Sequence, residues 1–134
     1  MATLMAHITV VEGAEARFEE LARGLFRDTK AHEPDVVLYE YWRATEPRRY
    51  YAIVAAADFR TFIAHQVSDH HESASPLLGD VIESIRLEWL DPVRGASVLP
   101  ATESQPPLSD ADELTRTYSR RYAVQIAQWW TGLR

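Results

Sequence analysis

The sequence contains no cysteine and no asparagine, and only Lys30 among its 14 basic residues is a lysine. The absence of cysteine excludes disulfide bonds and thiolate metal sites. No hydrophobic run is long enough to span a bilayer, and the N-terminal stretch lacks the basic leader of a secretory signal. We therefore expect a soluble, cytoplasmic protein that does not insert into a membrane.

Basic residues are fewer than acidic residues in this chain. The chain has 20 acidic and 14 basic residues and a net charge of −6, whereas a nucleic-acid surface needs clustered Lys and Arg to neutralise phosphates. Hydrophobic residues make up 46% and aromatic residues 10%, as in globular proteins. A length of 134 residues accommodates one compact domain and an appendage.

The first part of the chain alternates and then changes period. Apolar and mixed residues alternate over residues 4–11, which predicts a strand packed on one face. Apolar residues then recur every three or four positions over 14–31, which predicts an amphipathic helix. Further strands are expected over 36–43, 49–56 and 84–90, with helical segments between residues 59 and 82.

This order, β-α-β-β-α-β, is the ferredoxin-like plan of an α+β protein, in which helices cover one face of an antiparallel sheet. The other sheet face carries Met5 and Val11 and would be bare. A bare apolar face of this kind is usually covered by a partner. We therefore expect a homodimer, with His7, Thr9, Arg86 and Glu88 lining the contact.

The register of the hairpin 36–56 decides which side chains share a face. Pairing Arg43 with Arg49 would place six of them together: Leu38, Glu40, Trp42, Tyr50, Ala52 and Val54. Glu40 would then be desolvated and become a competent base. The alternative is a carboxylate that faces solvent or an interface and pairs with Arg43 or Arg86.

Small residues in the third strand predict a cavity between sheet and helices. Ala52, Val54 and Ala56 would form its floor, and the expected walls are Trp42, Tyr50, Phe62 and Trp89. Such a site suits a flat aromatic ligand. The alternative is that larger helix residues fill the space, since cores tolerate few voids.

His65 and His70 are the candidate proton-transfer residues beside this cavity. Imidazole titrates near neutral pH and can take a proton from a phenol or enol and return it. The alternative is that these histidines cap helix carbonyls or lie in solvent. His65, Asp69, His70, His71 and Glu72 also form a possible ligand cluster, but their spacing matches no established metal site. No native metal is expected.

The last third of the chain has a different composition. Residues 93–108 are rich in Pro, Ser and Thr without periodicity, which predicts a linker. Residues 109–134 carry an apolar stripe at four-residue spacing, which predicts one amphipathic helix. The expected organisation is a domain over 1–92, a linker over 93–108 and a helix over 109–134.

Several motifs over residues 4–92 resemble the antibiotic biosynthesis monooxygenase family, whose members are dimeric α+β barrels. They are the opening His7-x-Thr9-x-Val11-Glu12, the pair Tyr39-Glu40, and Phe62-x-x-His65-x-x-Ser68-x-His70. The family includes cofactor-independent oxygenases of polyketide anthrones and quinols, haem-degrading enzymes and an isomerase. Val54 and Ala56 stand where many relatives carry a glutamate and an aromatic residue, and the haem-site asparagine is absent.

The resemblance implies a cofactor-independent monooxygenase or isomerase that acts on a small aromatic, quinol-like or polyketide-type metabolite. An oxygenase without a cofactor needs only a base, a dry cavity and a substrate that becomes electron-rich when it loses a proton. The alternative is a non-catalytic ligand-binding or scaffolding protein of the same fold. A reduced-flavin enzyme would be a third possibility, but no Gly-rich phosphate loop supports it.

Overall fold

The computed structural model describes residues 1–134. Its elements in chain order are β1 Ala2–Val10, α1 Glu15–His32, β2 Val36–Arg43, β3 Arg49–Ala56, α2 Phe59–Gln66, α3 Asp69–Val81, β4 Ile82–Trp89, α4 Glu113–Arg121 and α5 Gln128–Thr131. The strands form one antiparallel sheet in the order β2-β3-β1-β4. The predicted α+β class and βαββαβ order are confirmed. None of the helices has the length and apolar character needed to cross a membrane.

The core lies between one sheet face and the helices. Residues at even positions of β1 are buried because they point toward α1 and α2. They belong to two apolar clusters, one built around Leu4, Val54 and Phe62 and the other around Ile8 and Phe18. The helices thus cover the sheet at two places, and the space between these clusters is where a site can form.

The predicted hairpin register is wrong by one residue. Arg43 pairs with Tyr50, not with Arg49, and Tyr41 pairs with Ala52. Since directly opposed residues point to the same face, the tyrosines of β2 lie on the helix side. The alternate residues of β2, Glu40 and Trp42, consequently lie on the opposite face. An irregularity between Val36 and Leu38 shifts the start of the pairing, which alternation alone does not reveal.

The sheet face away from the helices is semi-polar and uncovered within one chain. His7 and Glu88 are joined at 2.9 Å and Arg86 donates to the same carboxylate oxygen at 3.0 Å. Met5 and Ile53 pair across β1 and β3 and are half-buried by these neighbours. Met5, His7, Arg86 and Glu88 thus share this face, as predicted from the alternation of β1 and β4.

The predicted terminal helix over 109–134 is wrong in its extent. The helix α4 has only nine residues, and an irregular segment separates it from α5. The break follows the docking of the chain: Tyr122 packs on Phe62 of α2, with ring centroids 5.6 Å apart, and the Ala123 carbonyl accepts a hydrogen bond from Trp89. These contacts on the domain outweigh the weak preference of a four-residue apolar repeat for continuous helix.

Residues 93–108 contain no helix or strand, as expected, but they are fastened to the domain. Thr102 is fully buried; its hydroxyl donates to the Leu90 carbonyl at 2.6 Å and accepts from the Thr3 N–H at 3.2 Å. The guanidinium of Arg134 donates to both carboxylate oxygens of Asp91 and to the Thr102 carbonyl. The segment is therefore part of the folded domain and holds α4 beside α2.

The uncovered sheet face leads us to expect a homodimer. Size-exclusion chromatography with light scattering should give twice the mass of one chain, and Ile53→Arg should give a monomer because it places a charge at the centre of this face. Val98→Arg is the matched control, since Val98 is almost fully exposed. A monomeric natural chain at micromolar concentration would contradict this expectation.

The Thr102 contacts predict a measurable contribution to stability. Replacing Thr102 by Val keeps the shape but leaves the buried Thr3 N–H without an acceptor, which should lower the free energy of unfolding by about 1–3 kcal/mol. Urea unfolding followed by circular dichroism measures the change. Thr45→Val, in the exposed hairpin loop, should have no such effect, and an equal loss in both variants would refute the assignment.

Candidate functional site

A cavity of about 660 Å³ lies between the sheet and helices α2 and α3. On the sheet side it is lined by Leu4, Ala6, Ile8, Tyr39, Tyr41, Ala52 and Val54, and on the helix side by Phe62, His65, Gln66, His71, Ser75 and Leu78. Ala6 and Ala52 are opposed in neighbouring strands. Two methyl side chains side by side leave the sheet centre unfilled, and this pair explains why the cavity is there.

Four of the predicted site residues line this cavity. Ala52 and Val54 belong to its floor, Phe62 to its roof, and His65 to the polar part of its wall. The volume is not filled by larger helix residues, so the alternative of a closed core does not hold at this point. The predicted floor lacked Ala6, which comes from β1 and is brought beside Ala52 only by strand pairing.

The remaining predicted lining residues lie elsewhere, because each packs against a different partner. Ala56 is fully buried in the apolar cluster at the end of the sheet. Trp89 lies against Phe59 and Phe62, with ring centroids at 6.0 and 5.1 Å. The hydroxyl of Tyr50 donates to Glu19 of α1 at 3.0 Å.

Glu40 and Trp42 do not reach the cavity either. They line, with Tyr50, a separate groove of about 610 Å³ between α1 and the edge strand β2. The indole N–H of Trp42 donates to the Glu40 carboxylate at 3.0 Å, and Trp42 is more than half exposed. The prediction that Glu40 is a desolvated base in the cavity is wrong, since it depended on the hairpin register corrected above.

A carboxylate that the sequence did not indicate fixes His65. Glu33 is the residue directly after α1 and directly before Pro34. A proline disfavours helical backbone at the residue that precedes it, so the helix stops here. Its Oε2 lies 2.7 Å from Nδ1 of His65 in α2. Burial opposes ionisation of Glu33, but the hydrogen bond from His65 and the nearby charges of His65 and His70 outweigh it and lower its pKa.

The other nitrogen of His65 has no partner. The side chain is completely buried, and its Nε2 makes no hydrogen bond. Because Nδ1–H donates to Glu33, Nε2 carries the lone pair in the neutral ring. His65 thus combines a fixed Nδ1 with a buried Nε2 that has no hydrogen-bond partner, on a residue that lines the cavity.

His70 is held by the same carboxylate but lies outside the cavity lining. Its Nε2 is 2.8 Å from Glu33 Oε1 and 3.3 Å from the hydroxyls of Thr29 and Ser68. Both histidines of the predicted motif thus lie against the same carboxylate, but only His65 lines the cavity. His65 is part of the cavity wall, whereas His70 lies next to Glu33 Oε1, outside the cavity lining.

His71 is a cavity residue that the sequence interpretation did not select. Its ring stands edge-on to His65 with centroids 5.0 Å apart. Burial lowers the pKa of His71 to about 4, and the charges of His65 and His70 add to this effect. The ring is therefore neutral at neutral pH. Adjacent histidines in a helix point in different directions, so the sequence could have indicated that one of His70 and His71 faces inward, but not which.

Two phenols complete the polar part of the cavity. The hydroxyls of Tyr39 and Tyr41 are joined at 2.7 Å, and the Tyr39 ring lies edge-on to His65 with centroids 4.8 Å apart. Burial raises the pKa of Tyr41 to about 12 and that of Tyr39 well above its ordinary value. Both phenols stay protonated, and because one hydroxyl donates to the other, one phenol proton is left to donate a hydrogen bond to a developing oxyanion.

The residues best placed to hold a metal are Glu33, His65 and His70, whose ligand atoms lie within 4.8 Å of one another. One carboxylate and two imidazoles are a donor set used by divalent metals. Here His65 is hydrogen-bonded to one carboxylate oxygen at 2.7 Å, and His70 Nε2 lies 2.8 Å from the other oxygen without hydrogen-bonding geometry. This set differs from the cluster considered from the sequence, since Glu33 replaces Asp69 and Glu72.

The chain is similar to one protein family and to several solved structures. The model of the antibiotic biosynthesis monooxygenase family matches residues 1–76. No curated protein matches the chain. Among solved structures, a Caulobacter crescentus protein classed with the antibiotic biosynthesis monooxygenases is 25% identical, with a TM-score of 0.65 over 69% of this chain and 90% of that one.

Two more distant structures share the fold. A Pseudomonas aeruginosa protein is 21% identical, with a TM-score of 0.61 over 66% of this chain and 90% of its own. A Bacteroides thetaiotaomicron protein is 13% identical, with a TM-score of 0.66 over 78% and 95%. The family model stops before β4, so α4 and α5 lie outside the matched residues.

The low pKa of His71 predicts acid sensitivity. Between pH 6.5 and 4 the unfolded chain binds a proton at this position that the folded chain does not. The free energy of unfolding should therefore fall with decreasing pH, by about 2 kcal/mol from pH 7.5 to pH 5 from this residue alone. Urea unfolding at both pH values should show a smaller fall for His71→Gln. The exposed His32→Gln should behave as the natural chain, and equal pH dependence in all three proteins would refute the assignment.

Proposed function

Because this chain belongs to the antibiotic biosynthesis monooxygenase family, we propose that it is a cofactor-independent monooxygenase acting on a small aromatic, quinol-like or polyketide-type metabolite in the cavity described above. The observation that carries the proposal is His65 Nε2, buried and unpaired at the cavity wall while Nδ1 is fixed by Glu33. A carboxylate–imidazole pair of this kind orients a general base and stabilises the imidazolium that forms.

The first step is removal of a proton from the substrate. His65 Nε2 takes it from an acidic phenol, enol or ring CH₂ group, and Glu33 compensates the positive charge on the ring. The negative charge develops on a substrate oxygen, which accepts a hydrogen bond from the hydrogen-bonded phenol pair of Tyr39 and Tyr41. Neutral His71 adds no charge that would compete with His65 for the proton.

The second step is reaction of the electron-rich anion with oxygen. The substrate anion reduces O₂, a carbon–oxygen bond forms, and the resulting peroxide takes the proton back from the His65 imidazolium. Loss of water then converts the CH₂ carbon to a carbonyl. One oxygen atom stays on the substrate, the other leaves as water, and the substrate supplies all the electrons. The same proton abstraction without oxygen would give an isomerisation.

The apolar part of the cavity supports an aromatic substrate. Phe62, Val54 and Ala52 offer contact area with few polar groups, which suits a ring bound through its faces. Exclusion of water there protects a reactive anion and its peroxide. His70 supports the reaction indirectly, since it positions Glu33 and does not line the cavity.

Oxygen uptake with anthrone in air-equilibrated buffer tests the proposal. The natural chain should consume oxygen faster than buffer, and His65→Asn should slow it by about 10²–10⁴-fold, the range of general-base catalysis. Glu33→Gln should also slow it, His70→Gln should have a smaller effect, and His32→Gln should have none. Dialysis against EDTA should leave the rate unchanged, because no step requires a metal.

Two outcomes would contradict the proposal. Uptake by the natural chain equal to buffer, with anthrone bound, would favour a non-catalytic ligand-binding protein of the same fold. Equal rates for the natural chain and His65→Asn would remove His65 from the mechanism.

A further inference from the structure

Arg121 lies at the margin of the cavity and is held there by aromatic rings. It is the last residue of α4 and, with Tyr122, lines the end of the cavity that faces the C-terminal segment. Its guanidinium carbon is 5.9 Å from the ring centroid of Tyr118 and 5.6 Å from that of Tyr122. Stacking of this kind restrains a guanidinium without neutralising it.

The charges around the cavity are unequally compensated. Among the lining residues, Arg121 is the one arginine and Glu83 the one carboxylate. The Glu83 carboxylate is bound by Arg48 at 3.0 Å, whereas Arg121 makes no ion pair or hydrogen bond. Its neighbour Arg120, on the same helix, is paired with Glu113 at 2.9 Å. The Glu72 carboxylate accepts a hydrogen bond from the hydroxyl of Tyr118, one of the two rings against Arg121. The cavity margin therefore presents a cation near a carboxylate but without a direct ion-pair partner.

The inner end of the cavity has the opposite character. His71 and the phenols of Tyr39 and Tyr41 are neutral there, and they suit a hydroxyl or carbonyl group that is uncharged when the ligand binds. A ligand with a hydroxylated ring at one end and an anionic group at the other would satisfy both ends. The planar guanidinium fork matches a carboxylate, which it can bind through two parallel hydrogen bonds.

We infer that Arg121 binds the carboxylate of the ligand, so that the substrate class is that of hydroxylated aromatic carboxylic acids. This inference rests on the proposed function for the aromatic part of the ligand. The binding residue itself does not, since Arg121 lies outside the residues 1–76 that match the family. The C-terminal segment thus contributes selectivity, and the family fold contributes the reacting groups.

Calorimetric titration with two compounds that differ only in the carboxylate tests the inference. The natural chain should bind 6-hydroxy-2-naphthoate about tenfold more tightly than 2-naphthol, the gain expected from one charge-assisted ion pair. Arg121→Gln should abolish the difference and leave 2-naphthol binding unchanged. Arg121→Lys should retain part of it, and Arg120→Gln, the matched exposed arginine, should retain all of it. The preference should also fall with added salt.

The outcomes separate this inference from the proposed function. Equal affinity of the natural chain for both compounds, or an unchanged preference in Arg121→Gln, would overturn the role of Arg121 and leave an aromatic cavity in place. An equal loss in Arg121→Gln and Arg120→Gln would also overturn it, because general electrostatics would then explain the preference. Absence of binding by both compounds would contradict the aromatic cavity and both proposals with it.

Discussion

The carboxylate of Glu33 is shared by two imidazoles, and the geometry of the site depends on this arrangement. One oxygen holds His65 and the other holds His70, so three helices meet at a single side chain. Burying a carboxylate costs free energy unless charged or hydrogen-bonding groups surround it. The two histidines supply those groups, and the carboxylate in turn decides which nitrogen of His65 remains free. The same contact therefore joins the helices and orients the proposed base.

The secondary structure could be predicted from the sequence because it follows from local periodicity. Alternation in β1, the three- and four-residue spacing in α1 and the capping Asp58 of α2 are all readable over short windows. The hairpin register could not, because it is a pairing between two strands, and from Leu38 to Arg43 that pairing differs by one residue from the expected one. That shift moved Glu40 out of the predicted site and brought Tyr39 and Tyr41 into it.

The candidate site was predictable only where a single segment supplies it. His65 and Phe62 lie on one helix, and Ala52 and Val54 lie on one strand, so spacing was enough to select them. Glu33 is 32 positions away from His65, and Ala6 joins Ala52 only through strand pairing. His71 was distinguishable from His70 only by the direction in which α3 turns. These are tertiary relations, which composition and spacing do not contain.

The C-terminal segment shows why the shared fold does not settle what this chain binds. A βαββαβ sheet with a cavity can serve many reactions, and selectivity comes from the groups placed around it. Here Thr102 and Arg134 fasten the segment to β1 and Asp91, and Tyr122 packs on the same Phe62 that roofs the cavity. These contacts dock α4 on the domain, and the exposed Arg121, the last residue of α4, is thereby brought to the cavity margin. The proposed role of Arg121 assigns selectivity to a segment outside the residues 1–76 that match the family, while the proposed reacting groups lie within them.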